Sequence, residues 1–302
     1  MPELAWALRF LTMKEVVMSV DPTPRRRRLG SEFRRLREGL GWTQEEAATR
    51  LGYRALSTVS KIEKGTQGVT VQQLPHFFEV FGVTDEAVRQ ELRDLVRKAG
   101  EPDWWQQYED IVDDPLGDYL TQIETASGLF TFNPLAVHGL LQTPDYARAV
   151  IEGSRAWKTT TDIDGFMTVR QEHQKVMLER TPPLKIWAVL TEGLLRQEVG
   201  DRSVMRAQVA HLAELARTNP NITIQVLPYT AGAHAGMDGP FMLMSFSAGR
   251  DIVCIESMRT SLHLNRPETV EVYRTTSDLL KSDALSPKAS LPFLTTLAKE
   301  MS

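Results

Sequence analysis

Residues 29–100 are cut into short segments of helical apolar periodicity by capping residues and glycines, and this punctuation restricts the stretch to a small all-α domain. Five helices are predicted. The first spans about Gly30–Leu40, with Phe33, Leu36 and Leu40 on one face. The second opens at Thr43, where Thr43-Gln44-Glu45-Glu46 is a capping box that satisfies two orphan amides reciprocally; it continues through Ala47, Ala48 and Leu51 and closes at Gly52. A brief turn, Tyr53-Arg54-Ala55, leads to the third near Leu56–Lys64, stopped by Gly65 where a left-handed cap is wanted. The fourth, about Val71–Phe81, carries Leu74, Phe77, Phe78 and Phe81. The fifth is capped by Thr84 and runs to Lys98 with Val88, Leu92, Leu95 and Val96 inward. Strand signals are absent here.

The third helix has two unlike faces. Val59 and Ile62 suit a core, which leaves Ser57, Thr58, Ser60, Lys61 and Lys64 outward. Small hydroxyls and cations with no acid among them suit base edges and phosphates. The charge of the chain agrees: residues 1–100 hold 17 basic against 13 acidic side chains, net +4, and residues 101–302 hold 18 against 26, net −8. Residues 18–65 alone hold 11 against 6, net +5, with Arg25, Arg26, Arg27 and Arg28 consecutive. A basic head on an acidic body implies a polyanion partner for the head only.

The combined pattern LREGLGWTQEEAATRLG, then STVSKIEKG, then a helix with Leu74 and Phe77 resembles the Cro/phage-repressor (XRE family) type of helix-turn-helix domain over roughly residues 33–88. The turn between Gly52 and Ser57 is one residue longer than is usual in that family. The resemblance implies a lambda-repressor-like fold in which Gln44 contacts a phosphate at the start of the second helix and Ser57, Thr58 and Lys61 read the groove. Arg54 and Lys64 become backbone contacts at the two ends of the recognition helix, and Arg37 and Glu63 match a structural ion pair. Ser57 also fits the role of a helix cap, which is compatible with phosphate contact. A single such domain reads a half-site, so a homodimer on double-stranded operator DNA is implied, with the two recognition helices about one DNA turn, ~34 Å, apart. The Arg25–Arg28 run is expected to follow the DNA backbone or enter the minor groove as an arm, or to be a solvated tail.

At Gly100 the composition shifts: Glu101 to Asp110 carries acids and aromatics with no base, and the domain boundary is placed there. Helical patterns follow at about 115–127, 144–152, 162–180, 202–217 and 267–283, with a last one from Ser286-Pro287 to the end. Strand-like runs lie at Leu184–Leu190, Ile222–Leu227, Phe241–Phe246 and Ile252–Ile255. The whole is a multidomain chain: residues 1–28 a disordered basic extension whose true start is suspected at Met18, 29–100 the five-helix DNA-binding domain, and 101–302 an α+β regulatory or partner-binding domain with a small sheet. GLLQTPDYARAV at 139–150, ITIQVLPYTAGAHAGMDGPF at 222–241 and the terminal YR…ALSP at 273–287 resemble the C-terminal domain of the actinobacterial WhiJ-like, antitoxin-like regulators. That resemblance implies a transcriptional regulator, often paired with a short, separately encoded protein of the BldB-like kind.

Other function classes find little support. The loop Gly232–Pro240 holds His234 and Asp238, yet a glycine-rich connection between strands is first a matter of permitted backbone angles. There is no Gly-x-Ser-x-Gly elbow, phosphate loop or His-Glu-x-x-His pair, and no enzyme is expected. The six histidines lack the spacing that puts two ligands on one helical face, so neither a metal nor a cofactor is expected. Cys254, the only cysteine, excludes an intramolecular disulfide framework, fits a reducing cytoplasm and reads as a buried small hydrophobe. Trp104, Trp105 and Tyr108 form either a partner-binding patch or core packing. No window has the ~18 consecutive apolar residues of a membrane span, and the N-terminus lacks the order of a signal peptide. The reading is a cytoplasmic, sequence-specific DNA-binding regulator; the alternative is an antitoxin that sequesters a partner and binds DNA only for autoregulation.

Overall fold

The first described helix begins six residues before its predicted start, and that shift decides how the two halves of the chain meet. The computed structural model describes residues 24–98, 103–154, 160–247, 251–256 and 261–301. Residues 1–23, with Met18, and the expected boundary at Gly100 lie outside them. Helix α1 is Pro24–Gly39. Arg25–Arg28 therefore belong to its first turns and not to a disordered extension.

The head continues with α2 Gln44–Arg50, α3 Ser57–Glu63, α4 Leu74–Val80 and α5 Glu86–Lys98. Its core gathers Leu29, Phe33, Ala47, Ala48, Val59, Ile62, Leu74, Phe77, Phe78, Phe81, Leu92 and Leu95, each buried. Phe33 meets Phe77 with ring centroids 4.7 Å apart; burying such a side chain is worth about 1.5–3 kcal/mol. Leu40 departs from expectation: it lies beyond α1 and is 44% exposed. The cap of α5 is Asp85, whose Oδ1 accepts from the Val88 amide at 3.2 Å, and not Thr84. Helix α1 crosses the end of α3 closely. A Cβ on Gly30 would stand 2.5 Å from the Ile62 and Glu63 carbonyl oxygens, and Gly65, at φ +74°, would put one 2.8 Å from the Arg26 backbone. Both positions exclude larger residues, the second also by its left-handed backbone.

The body is built on one mixed sheet of six strands in the order β3-β2-β1-β4-β5-β6. Strands β1 Gly128–Phe132, β2 Lys185–Thr191 and β3 Ile222–Leu227 are parallel. Strands β4 Phe241–Ser245, β5 Ile252–Glu256 and β6 Ser261–Leu264 form an antiparallel meander beside β1. β1 and β6 were not among the expected strands. Helix α6 Asp114–Thr125 precedes β1; α7 Pro144–Gly153 and α8 Thr160–Glu179 connect β1 to β2. The short α9 Glu192–Arg196 and α10 Arg202–Thr218 connect β2 to β3, and α11 Pro267–Asp283 and α12 Pro287–Glu300 complete the body. Strand alternation divides the core: Leu129, Ile186, Ala188, Ile224 and Met244 join one cluster, and Phe130, Val189, Leu243 and Val253 join another. The fold is thus an all-α head and an α+β body.

Arginines of α1 fasten the two together. Arg25 stands 2.8 Å from Asp103 and 2.9 Å from Glu124, with its side chain 6% exposed. Arg27 pairs with Asp118 of α6. Arg28 pairs with Glu91 at 3.0 Å and lies over the Phe246 ring at 3.6 Å. The expected DNA arm is corrected here: at least Arg25 and Arg28 are buried, and their charges are spent on carboxylates and a ring inside the molecule. Burial raises the Asp103 carboxyl above its usual range, against the opposing pull of Arg25.

Trp104, Trp105 and Tyr108 form a 3-10 helix packed against the body core, the second of the two roles weighed for them. Trp105 Nε1 donates to Thr121 Oγ1 at 3.3 Å. Cys254 is fully buried, its Sγ 3.1 Å from Ser261 Oγ, and burial pushes the thiol up to about 11. The Gly232–Pro240 loop needs its glycines for geometry, since Gly232 and Gly239 take φ of +66° and +125°.

Candidate nucleic-acid interface

The second helix starts as its sequence directs. Thr43 Oγ1 accepts from the Glu46 amide at 3.2 Å, and Glu46 Oε2 accepts from the Thr43 amide at 2.8 Å. That backbone hydrogen bond is also the first cause holding the Glu46 carboxyl below its usual range. From Gly52, at φ +74°, the chain turns through Tyr53, Arg54, Ala55 and Leu56 into α3. α3 is held from behind by Val59 and Ile62, 4% and 3% exposed. At 1.5 Å per residue its seven residues make a rod of about 10 Å.

The outward face carries what the sequence assigned to it. Ser57, Lys61 and Lys64 are exposed at i, i+4 and i+7, Thr58 is half-buried beside them, and Arg54 is exposed in the turn. The N-cap of α3 is Leu56, and no side chain caps it, so the Ser57 hydroxyl is not engaged as a cap. Glu63, the acid of this helix, is turned away: its side chain is 4% exposed and meets Arg37 Nε at 2.5 Å. Arg37 also donates to the Trp42 carbonyl at 2.7 Å, which ties α1, the start of α2 and α3 together. The expected Arg37–Glu63 ion pair is present, and it keeps negative charge off the outward face.

Gln44 joins that pair, its Nε2 donating to Glu63 Oε2 at 2.7 Å. One of its two amide hydrogens is therefore committed inside the head, which leaves one for the phosphate contact expected of it. A residue not singled out from the sequence also stands here: Leu56 is 49% exposed at the leading end of α3, where an apolar side chain can meet a thymine methyl. Its position three before Val59 and six before Ile62 reads as core, and its exposure follows from its place at the N-cap, one residue before the helix begins.

The state of the cations separates this face from the rest of the head. Arg34, Arg35, Arg37, Arg93 and Arg97 are each paired with a carboxylate, and Arg50 lies over the Trp42 ring at 4.3 Å. The side chains of Arg54, Lys61 and Lys64 have no hydrogen bond, ion pair or ring contact among the described residues. Three unneutralised cations within eleven positions, on one short helix and the turn before it, are suited to displace counterions from a phosphate backbone.

Comparison with known families agrees with this geometry. A model described as a helix-turn-helix domain matches residues 28–92, and one described as a domain of unknown function (DUF5753) matches residues 116–296. No curated protein and no solved structure matches the chain. Among the described residues no helix is long and apolar enough to cross a membrane, and no group of three His, Cys, Asp or Glu is placed to hold a metal.

Proposed function

Since the chain belongs to the family defined by DUF5753, which covers more than half of it behind a DNA-binding helix-turn-helix domain, we propose that it is a cytoplasmic, sequence-specific transcriptional regulator. Helix α3 enters the major groove, where Ser57, Thr58 and Lys61 read base edges; Gln44, Arg54 and Lys64 fix the register on phosphates. The observation that carries this reading is the unpaired state of the Arg54, Lys61 and Lys64 side chains in a head where Arg34, Arg35, Arg37, Arg93 and Arg97 are spent on carboxylates and Arg50 on a ring. The chain acts as a homodimer, since one α3 spans only a half-site. The body is regulatory and of the WhiJ-like, antitoxin-like kind.

A second reading gives the body a protein partner, a small BldB-like chain, with DNA binding reduced to autoregulation. It is favoured by Leu135, Tyr229 and Met237, which are 68%, 65% and 70% exposed in connections at one end of the sheet.

Fluorescence anisotropy of the purified protein on DNA from upstream of its own coding region, against a scrambled fragment and at two salt concentrations, tests the first reading. Tighter, salt-sensitive binding to the native fragment is expected. Equal binding to both fragments contradicts it. Co-purification of a stoichiometric small protein, with function surviving in a Lys61→Ala variant that no longer binds DNA, turns the assignment to the second.

A further inference from the structure

Between the sheet and helices α6 and α8 the body holds a cavity of about 250 Å³. Polar side chains reach it from separate parts of the chain: Tyr119 of α6, His138 after β1, Arg170 and His173 of α8, and Glu256 at the end of β5. Apolar walls are supplied by Leu116, Leu120, Phe132, Phe166, Val169 and Phe241.

Arg170 is the centre of the arrangement. Its Nη1 donates to Gln142 Oε1 at 2.9 Å, and among the described residues no carboxylate lies within ion-pair distance. An arginine has five N–H donors and keeps its proton, so a half-buried guanidinium on a cavity wall with one acceptor among the described residues is suited to an anion. Its seat is built for it. A Cβ on Gly139 would stand 2.4 Å from Arg170 Nη1, so a larger residue there would push the guanidinium from this place. Gln142 is fixed in turn by its Nε2 on the Val137 carbonyl at 2.7 Å, and Gln174 Nε2 holds the Gly139 and Gln142 carbonyls at 2.7 and 2.8 Å.

The neighbours present further donors. The Leu140 amide donates to His138 Nδ1 at 3.3 Å, which places the proton of the neutral ring on Nε2, 3.1 Å from Tyr119 Oη. Burial lowers His138 to about 3, so the ring is neutral near pH 7. The Tyr119 oxygen then accepts from His138 and its own hydrogen is left to donate elsewhere. His173 is 5% exposed, stacked on Trp104 with ring centroids 6.1 Å apart, and its Nε2 has no hydrogen-bond partner among the described residues. The Glu256 carboxylate makes no hydrogen bond or ion pair among them either; it acts on Arg170 through the field alone.

We propose that this cavity binds a small carboxylic acid with an apolar body, its carboxylate on the Arg170 guanidinium and the Tyr119 hydroxyl and its body against Leu120, Phe132 and Phe166. A planar fork suits a carboxylate. A single cation with Glu256 at the rim disfavours a dianion, which is why a phosphate monoester is not the ligand. Helix α6 links the site to the head: Leu116, Tyr119 and Leu120 face the cavity, while Asp118 and Glu124 of the same helix hold Arg27 and Arg25 of α1. Occupancy thus acts on α1 docking to the extent that the ligand binds one docked arrangement more tightly. This coupling rests on the reading of the head as the DNA-binding part; the site itself does not.

The test uses the full chain with 3-phenylpropionate as probe and 3-phenylpropanol and phenyl phosphate as controls, read by thermal unfolding. At about ten times its Kd the acid raises Tm by about 2 °C, the alcohol and the phosphate do not, and Arg170→Gln abolishes the shift. Glu256→Gln keeps the response to the acid and gains one to phenyl phosphate, an arm that decides the matter should Arg170→Gln fail to fold. An equal shift from the alcohol, binding retained in Arg170→Gln, no response to the acid, or no gain in Glu256→Gln overturns the site. In a parallel titration the acid changes affinity for the upstream DNA several-fold in the wild type and not in Arg170→Gln. An unchanged affinity with the Tm shift intact overturns the coupling through α6. Absence of DNA binding at any acid concentration, with the Tm shift intact, counts instead against the DNA-binding reading of the head.

Discussion

Arg25 and Lys61 carry the same charge in the same basic head, yet Arg25 is 5% exposed between Asp103 and Glu124 while the Lys61 side chain is exposed with no partner among the described residues. The denser cluster, Arg25–Arg28, looks the better polyanion site in the sequence and serves as the fastening between head and body. The sparser one, Arg54, Lys61 and Lys64, is left with its side chains unpaired among the described residues. Charge density along a chain is therefore a poor guide to a nucleic-acid surface. The carboxylates that fold back onto each cation decide, and Asp103, Asp118 and Glu124 come from beyond the expected domain boundary.

Acid offers the largest break in this comparison, because it attacks the body and spares the outward face of α3. His138 and His173 are both lowered by burial to about 3. Between their ordinary value near 6.5 and about 3, the unfolded chain binds two protons that the folded body does not, so stability falls as pH falls through that window. Urea unfolding at pH 5 against pH 7.5 should show a loss of about 2 kcal/mol for each histidine. A pH-independent midpoint over this range would mean that the rings are not buried neutral.

The next effect is on the fastening itself. Arg25→Ala leaves the buried Asp103 without its cation and Glu124 with Lys98 alone, and breaking a buried pair in this way costs about 3–5 kcal/mol in urea unfolding. Lys61→Ala, on an exposed face, should cost under about 0.5 kcal/mol. Comparable losses would erase the distinction between the two clusters.

Much of the head could be read from its sequence. Thr43–Glu46, Gly52, Gly65 and the Val59/Ile62 pair are local signals, and α2 and α3 follow from them with the Arg37–Glu63 pair. The start of α1 was hidden because four arginines read as a polar tail; the carboxylates of Arg25, Arg27 and Arg28 sit between 63 and 99 positions away, from Glu91 to Glu124. β1 escaped because Gly128–Phe132 is five residues directly after a helix, and β6 because Ser261–Leu264 is a short, half-exposed edge strand. The cavity in the body is of another kind again. Tyr119, His138, Arg170, His173 and Glu256 have no spacing in common, and only the sheet order that places β1 between β2 and β4 brings them together.

On the binding face the effects are smaller and differ in kind. Lys61→Ala should cost about 1–3 kcal/mol on the preferred sequence and relax the choice of base at one position, measured by anisotropy on single-base variants of the bound fragment. A uniform loss across all variants would move Lys61 from base reading to phosphate contact.

On the proposed function, DNA is held by the cations of α3 and its turn and not by the arginines of α1. The slope of log affinity against log salt, measured for the wild type, Lys64→Ala and Arg27→Ala, tests it most directly. Arg27 suits the comparison because its pair with Asp118 is partly exposed, its side chain 44% and that of Asp118 35%, so removing it is expected to spare the fold. The slope should become shallower by about 0.9 in Lys64→Ala, the contribution of one phosphate, and stay at the wild-type value in Arg27→Ala. A shallower slope in Arg27→Ala with none in Lys64→Ala would contradict the account and return the arginine run to the DNA.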